Sequence, residues 1–225
     1  MEYENSVLKK LGSCIDLEIS PTQLLSKSDI RSAALSQDYE VRWLLAKTLI
    51  FESNQSFAID TLCILAEDNE MIVRAEAIDT LSSFCDARSF SVLCTALCDE
   101  SEVVRLYAAI GVGIVGEKLS YGSAVDRLVS AQAQEKSSIS LVGIYEGLYI
   151  LGHHESLVQL FVLFQEEDYH VKCAVLHALD ELINTKNYDK IFCFIHGLDT
   201  TELPVSVIDT LTQVKQSVQS VLRDD

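Results

Sequence analysis

One pattern recurs along this chain at a nearly constant interval and restricts its possible folds more than any other feature. Its clearest copy is Asp99 to Gly116, DESEVVRLYAAIGVGIVG: an acidic turn, a Val-Val-Arg step, then small and apolar residues up to a glycine. DYEVRWLLAKTL from Asp38 and DNEMIVRAEAIDTL from Asp68 repeat it upstream; EKSSISLVGIYEGLYILG from Glu135 and DYHVKCAVLHALDEL from Asp168 repeat it downstream. With the second apolar residue of the step as marker, Val41, Val73, Val104, Ser140, Val171 and Val205 lie 32, 31, 36, 31 and 34 residues apart. A unit of that length buries its apolar face only by stacking on copies of itself, so the period predicts an all-α, right-handed superhelical solenoid of about six antiparallel helix pairs.

Only 2 prolines and 9 glycines punctuate a chain that is 48% hydrophobic, so helix can run nearly throughout and still bury a continuous seam. Ser20-Pro21 reads as a helix start, with serine at the N-cap and proline at the first helical position. The first helices of the pairs are expected at 21–36, 55–67, 88–98, 121–134, 155–166 and 188–197, with Ser26-Lys27-Ser28-Asp29 as a break in the first. The second helices are expected at 39–53, 70–85, 102–115, 137–151, 169–184 and 204–222. Residues 1–20 match no repeat and read as an N-terminal extension or cap with a short helix from Glu4 to Leu11. Residues 21–225 read as one repeat domain, its last helix a C-terminal cap whose Gln213, Lys215, Gln216, Gln219 and Arg223 meet water.

In Val41-Arg42, Val73-Arg74, Val104-Arg105 and Val171-Lys172 an apolar residue and a cation follow the acidic turn, and Gly116 and Gly152 close two second helices. The step resembles that of the HEAT-repeat superfamily, specifically the short bacterial repeats similar to those of phycobilisome bilin lyases, from about Gln37 to Asn184. The resemblance implies that each cation packs against acidic turn residues of an adjacent repeat. Ser140-Leu141 stands where Val-Arg is expected, so such a ladder should be interrupted at Leu141. It also implies that the second helices line the concave side.

The formal charge of -17, from 34 acidic and 17 basic residues, repels a phosphate backbone and argues against nucleic acid as partner. The N-terminus lacks the apolar stretch of a signal peptide, and no apolar run reaches the roughly 18 residues of a spanning helix, so no membrane is expected and the protein is placed in the cytoplasm. Cys14, Cys63, Cys85, Cys94, Cys98, Cys173 and Cys193 lie in apolar helical stretches and read as reduced core residues, Cys94 and Cys98 included.

The acidic residues of the turns (Asp38 and Glu40; Glu67, Asp68 and Glu70; Asp99, Glu100 and Glu102; Glu166, Glu167 and Asp168; Asp199 and Glu202) read first as caps facing the positive ends of the second helices. A second set emerges when the second helices are aligned on the marker. Trp43 follows it by two positions, Glu76 and Tyr107 by three, Lys47, Asp79, Glu146 and His177 by six, and Tyr149 and Asp180 by nine, with Glu181 next. These ten residues are the candidate partner-binding face: rigid aromatics of the kind that anchor interfaces, mixed with acids.

His153-His154-Glu155 resembles a metal-ligand cluster but stands alone in a turn and reads as polar surface; no metal or cofactor is expected. His170, His177 and Asp180 share a helix face without a positioned nucleophile, and no nucleophile elbow, phosphate loop or zinc-protease motif occurs. No catalytic residue is therefore assigned. The leading reading is a non-catalytic binding module that holds another, basic protein through an acidic and aromatic concave face, in one form an immunity protein neutralising a cationic toxin. The alternative, which the resemblance implies, is a bilin lyase-like subunit or another enzyme relative with such repeats; a DNA glycosylase of that kind is disfavoured by the charge.

Overall fold

The computed structural model describes residues 2–221, with side chains described from 4 to 219. Leu222 and Arg223, assigned above to the last helix and its polar face, lie outside the described residues. Among the described residues the chain forms thirteen α-helices and no strand. They are α1 (Glu2–Leu17), α2 (Lys27–Ala33), α3 (Tyr39–Thr48), α4 (Gln55–Leu65), α5 (Met71–Ser82), α6 (Ala87–Ala96), α7 (Glu102–Lys118), α8 (Ser123–Gln132), α9 (Ser138–Ile150), α10 (Ser156–Leu163), α11 (Tyr169–Leu182), α12 (Tyr188–His196) and α13 (Val205–Val221).

From α2 onward the helices form six pairs. Their second members, α3, α5, α7, α9, α11 and α13, pack each on the next in one row. The N-terminal segment departs from expectation. Its helix spans Glu2–Leu17 rather than Glu4 to Leu11, and it packs on α3 at the head of that row, burying Val7, Leu11 and Cys14. Apolar residues one helical turn apart made this possible, but the absence of the repeat motif hid it.

Ser20 caps the Thr22 backbone N–H as expected, yet only a 3-10 turn follows, Pro21–Gln23. A capping box between Ser26 and Asp29 then starts α2 afresh, which is the break anticipated at those residues. The expected helix 39–53 tightens after Thr48 into a second 3-10 turn, Leu49–Phe51. There the buried Glu52 carboxylate accepts from Ser20 Oγ (2.6 Å), Thr22 Oγ1 (2.8 Å) and the Asn54 N–H (2.9 Å), latching the start of the first pair to its end.

Five of the six markers, Val41, Val73, Val104, Ser140 and Val171, are buried, as is Ala108 one turn beyond Val104, whereas Val205, the first residue of α13, is 74% exposed and the core residue there is Val207. The core is divided into two clusters that share Leu141 and Tyr145 of α9. The cation steps lock repeat to repeat. Arg42 forks onto both carboxylate oxygens of Asp68, Arg74 onto Asp99 and Arg105 onto Glu135. The remaining Nη1 of each donates to a carbonyl of its own turn, at Ser36, Asp68 and Asp99. The same carboxylates accept from backbone N–H groups at the start of the next second helix, those of Glu70, Ser101 and Ser137, so one acid serves both as cap and as rung. Burial alone would raise Glu135, but Arg105, Ser140 and two backbone N–H groups outweigh it and hold it at about 2.

At Leu141 the ladder stops as anticipated, and Ser138 Oγ spans the gap to Glu166 (2.8 Å). Lys172 departs from the expected pattern: its Nζ donates to the Phe164 carbonyl (2.6 Å) instead of pairing with a carboxylate. An ammonium lacks the two-pronged geometry that lets the arginines hold their own turn and the next at once.

Gly152, at φ +95°, closes α9 with His153 N–H bonded to the Leu148 carbonyl. Gly116 does not close α7, contrary to expectation. The helix continues to Lys118 and ends at Ser120, φ +54°, while a Cβ on Gly116 would stand 2.5 Å from Ala124 Cβ of α8. Other glycines press α7 and α9 together: a Cβ on Gly143 would lie 2.3 Å from the Leu106 carbonyl oxygen, and one on Gly113 2.5 Å from Gly147 Cα. Two adjacent members of the row therefore meet backbone to backbone.

Candidate binding groove

The row of second helices assembles the site. Asp79 of α5 and Glu181 of α11 lie close enough to repel each other although α7 and α9 stand between them in the row. The second helices therefore bring residues of non-adjacent repeats into one neighbourhood.

At one end the site is built on α3, α5 and α7. Trp43 Nε1 donates to Glu76 Oε2 at 2.9 Å, so two of the candidate residues from adjacent repeats orient each other. Lys47 sits one turn on, its Nζ 5.6 Å from the centre of the Trp43 ring. Trp43, Glu76, Asp79 and Tyr107 line an open cleft of about 350 Å³, and Lys47, Glu76 and Asp79 a neighbouring one of about 310 Å³. Asp79 keeps open surface toward the groove, yet the helices on either side leave it poorly hydrated; this, with Glu76 and Glu181 nearby, raises it to about 6. Tyr107 is raised as well, first by burial and then by Asp79, Glu76 and Glu146.

Two candidates turn out to be walls rather than contact surface. Tyr149 is buried and its hydroxyl accepts from Asn187 Nδ2 at 2.8 Å, which corrects its reading as an exposed aromatic anchor. Glu146 is 5% exposed, and burial, then Glu181 and Asp79, raise it to about 8. On α11, His177 and Glu181 are exposed, whereas Asp180 is half-buried with Oδ1 sealed from solvent and without a hydrogen bond. Glu181 also borders a separate cleft with Tyr149, His154, Lys186 and Lys190.

Met71, Ile72 and Val103 complete the first cleft and were missed, because they precede the marker in the first turn of a capped helix, where no core position falls. Met71 and Ile72 are each 44% exposed, and large apolar residues at that register were the available signal.

Other chemistry-bearing residues lie elsewhere. His153 meets Glu155 at 3.3 Å, His154 packs against the Tyr149 ring, and His170 meets Asp168 at 3.0 Å. No group of three or more metal-ligating side chains occurs among the described residues. The cysteines are not uniformly core: Cys14 is buried, Cys63, Cys94 and Cys173 are half-buried, and Cys85, Cys98 and Cys193 are exposed. Cys85 and Cys98 lie just past the ends of α5 and α6, where the apolar face no longer meets a neighbour. No helix among the described residues is long and apolar enough to cross a membrane.

A family model described as HEAT repeats matches residues 28–113. No curated protein matches. Among solved structures, the complex of CpcE and CpcF of phycocyanin lyase from Nostoc sp. PCC7120 is 15% identical, covering 88% of this chain and 95% of that one, with a TM-score of 0.45. An archaeal HEAT-like repeat protein from Thermococcus onnurineus NA1 is 18% identical, covering 88% and 98%, with a TM-score of 0.35. A designed armadillo repeat protein is 14% identical, covering 84% and 98%, with a TM-score of 0.41. The matched stretch, residues 28–113, is where the arginine ladder runs from Arg42 through Arg74 to Arg105, and it is similar to HEAT repeats.

Proposed function

We propose that the protein is a non-catalytic module that holds a basic partner protein in its concave groove. The observation that carries this reading is the Trp43–Glu76 pair beside Asp79 and Tyr107: acids and half-buried aromatics held on three packed helices around an open cleft. Rigid aromatics supply a contact centre that loses little entropy on binding, and the surrounding carboxylates steer a cationic partner to it. The form of this role best matched to the charge of -17 is a cytoplasmic immunity protein that covers the cationic substrate site of a toxin, or a surface next to it.

The test is capture of a partner on the immobilised protein, followed by binding kinetics. Glu76→Lys combined with Asp79→Lys should slow association strongly and weaken its salt dependence, while Tyr107→Ala should mainly speed dissociation. Wild-type binding by both variants, together with loss of binding after substitutions on the first helices, places the site on the convex side and defeats the groove reading.

A further inference from the structure

Glu146 differs from the other deeply buried carboxylates in how it is accommodated. Glu52 is held by Ser20, Thr22 and a backbone N–H, and Asp68 and Glu135 by arginines and backbone N–H groups. Glu146 is 5% exposed, and among the described residues no hydrogen-bond donor reaches its carboxylate. An acid buried without a partner is costly, and folded chains rarely keep one without a use.

The surroundings of Glu146 have a consistent sign. Asp79 faces it from α5 and Glu181 from α11, and Tyr107 comes from α7. His177 and Asp180 lie on the helix that carries Glu181, and Asp180 has its own sealed oxygen without a partner. The helices on the other flank of α9, α8 and α10, bring no charged group to bear on it. These carboxylates do not form a metal-holding group. Asp79 and Tyr107 also line the open cleft, and Glu146, whose oxygens are not among the sealed ones, has no internal donor.

We propose that this part of the groove is a receptor for a single basic side chain, a lysine or arginine that the bound partner inserts between Asp79 and Glu181 to reach Glu146. The proposal rests on the groove reading above and specifies what the partner must present. A long apolar stem ending in a cation matches the site, since the stem lies against the Tyr107 ring while the head meets acceptors that have no internal donor. One consequence separates this from general attraction to an acidic surface. Glu146 holds its proton at neutral pH, because burial, Glu181 and Asp79 all favour the neutral acid, and an arriving cation reverses that preference. Binding should therefore expel about one proton, and affinity should tighten about tenfold or more between pH 6 and pH 8.

Octalysine and octaarginine peptides, blocked at both ends, serve as probes, because neither titrates in that range. Calorimetric titration at pH 7 in phosphate and in Tris, whose ionisation enthalpies differ, reads the protons released. The wild-type protein should release about one, and Glu146→Gln should keep its fold and still bind but lose both the release and the pH dependence. His177→Gln should retain the release, which excludes the imidazole as its source, and so should Glu40→Gln combined with Glu70→Gln on the turn edge. Binding without proton release by the wild type, or release that survives in Glu146→Gln, overturns the proposal. If either result comes with binding abolished by Glu76→Lys and Asp79→Lys, the groove reading stands and only the receptor fails. If the wild type binds neither peptide at low salt, both fail.

Discussion

Arg74 holds Asp99 of the following repeat by two parallel hydrogen bonds, Nε to Oδ2 and Nη2 to Oδ1, each 2.9 Å. Asp99 in turn accepts from the Ser101 backbone N–H at 2.8 Å, so the pair joins one repeat to the helix start of the next. The side chains are 9% and 13% exposed, which places the pair where removing one partner strands the other. Arg74→Ala should cost about 3–5 kcal/mol, and Arg74→Lys should recover only part of it, because an ammonium cannot form the fork. Urea unfolding measures both. A loss below about 1 kcal/mol, the value of a solvent-exposed pair, would show that the ladder does not hold the repeats together.

Stability should fall on both sides of a maximum at about pH 4–5, through different residues. Glu135 is held at about 2 in the folded protein, below its ordinary 4.5, so its contribution is present above that ordinary value and is lost as pH falls toward 2. Glu146 is raised to about 8, so its contribution is complete below 4.5 and is lost as pH climbs through 8, at a cost of up to several kcal/mol. Asp79, raised to about 6, adds to the same loss. Melting temperatures across pH 3 to 9 should trace this dome, and Glu146→Gln should flatten only its alkaline side. An unaltered alkaline side in that variant means the carboxyl is not buried as described.

The contact between α7 and α9 leaves no room for a methyl group. Gly143→Ala and Gly147→Ala would put a Cβ 2.3 Å from the Leu106 carbonyl oxygen and 2.5 Å from that of Ala109, both backbone atoms that cannot step aside. Each should cost about 1–3 kcal/mol or more and open the curve of the solenoid, which X-ray scattering would register as a larger radius of gyration. Gly12→Ala in α1 is the control. Nothing lies within 4 Å of its Cβ, so it should be neutral or stabilising by about 0.4–1 kcal/mol.

Val104 is fully buried at the centre of the row. Val104→Asp would bury a charge with no counterpart and should cost several kcal/mol, or abolish folding. Calorimetry decides it; a melting temperature within a degree or two of wild type would mean that the marker register is misplaced.

The repeat architecture was legible in the chain itself because its causes are local. Each Val-Val-Arg step fixes a buried residue and a cation within one helical turn of an acidic cap, and copies at one spacing must meet equivalent neighbours. Val41, Val73 and Val104 in the core, the forks of Arg42, Arg74 and Arg105, and the interruption at Leu141 all follow from that register. Where local identity failed, the reading was coarser. α1 has no motif yet packs in the row, and Lys172 has the position without the geometry.

Depth in the groove was beyond the sequence because it sums packing over the whole row of helices. Asp79 and Glu146 occupy the same register, six residues after their markers, yet one keeps open surface and the other is buried. Glu146 lies between Gly143 and Gly147, where α7 and α9 touch backbone to backbone, while α5 has no glycine beside Asp79. Likewise Tyr149 left the surface because Asn187, thirty-eight residues away, supplies its hydrogen bond. Helical periodicity in this sequence determined which side of each helix faces the groove; how deeply each residue sits there depended on how closely neighbouring backbones could approach, and only the assembled solenoid decides that.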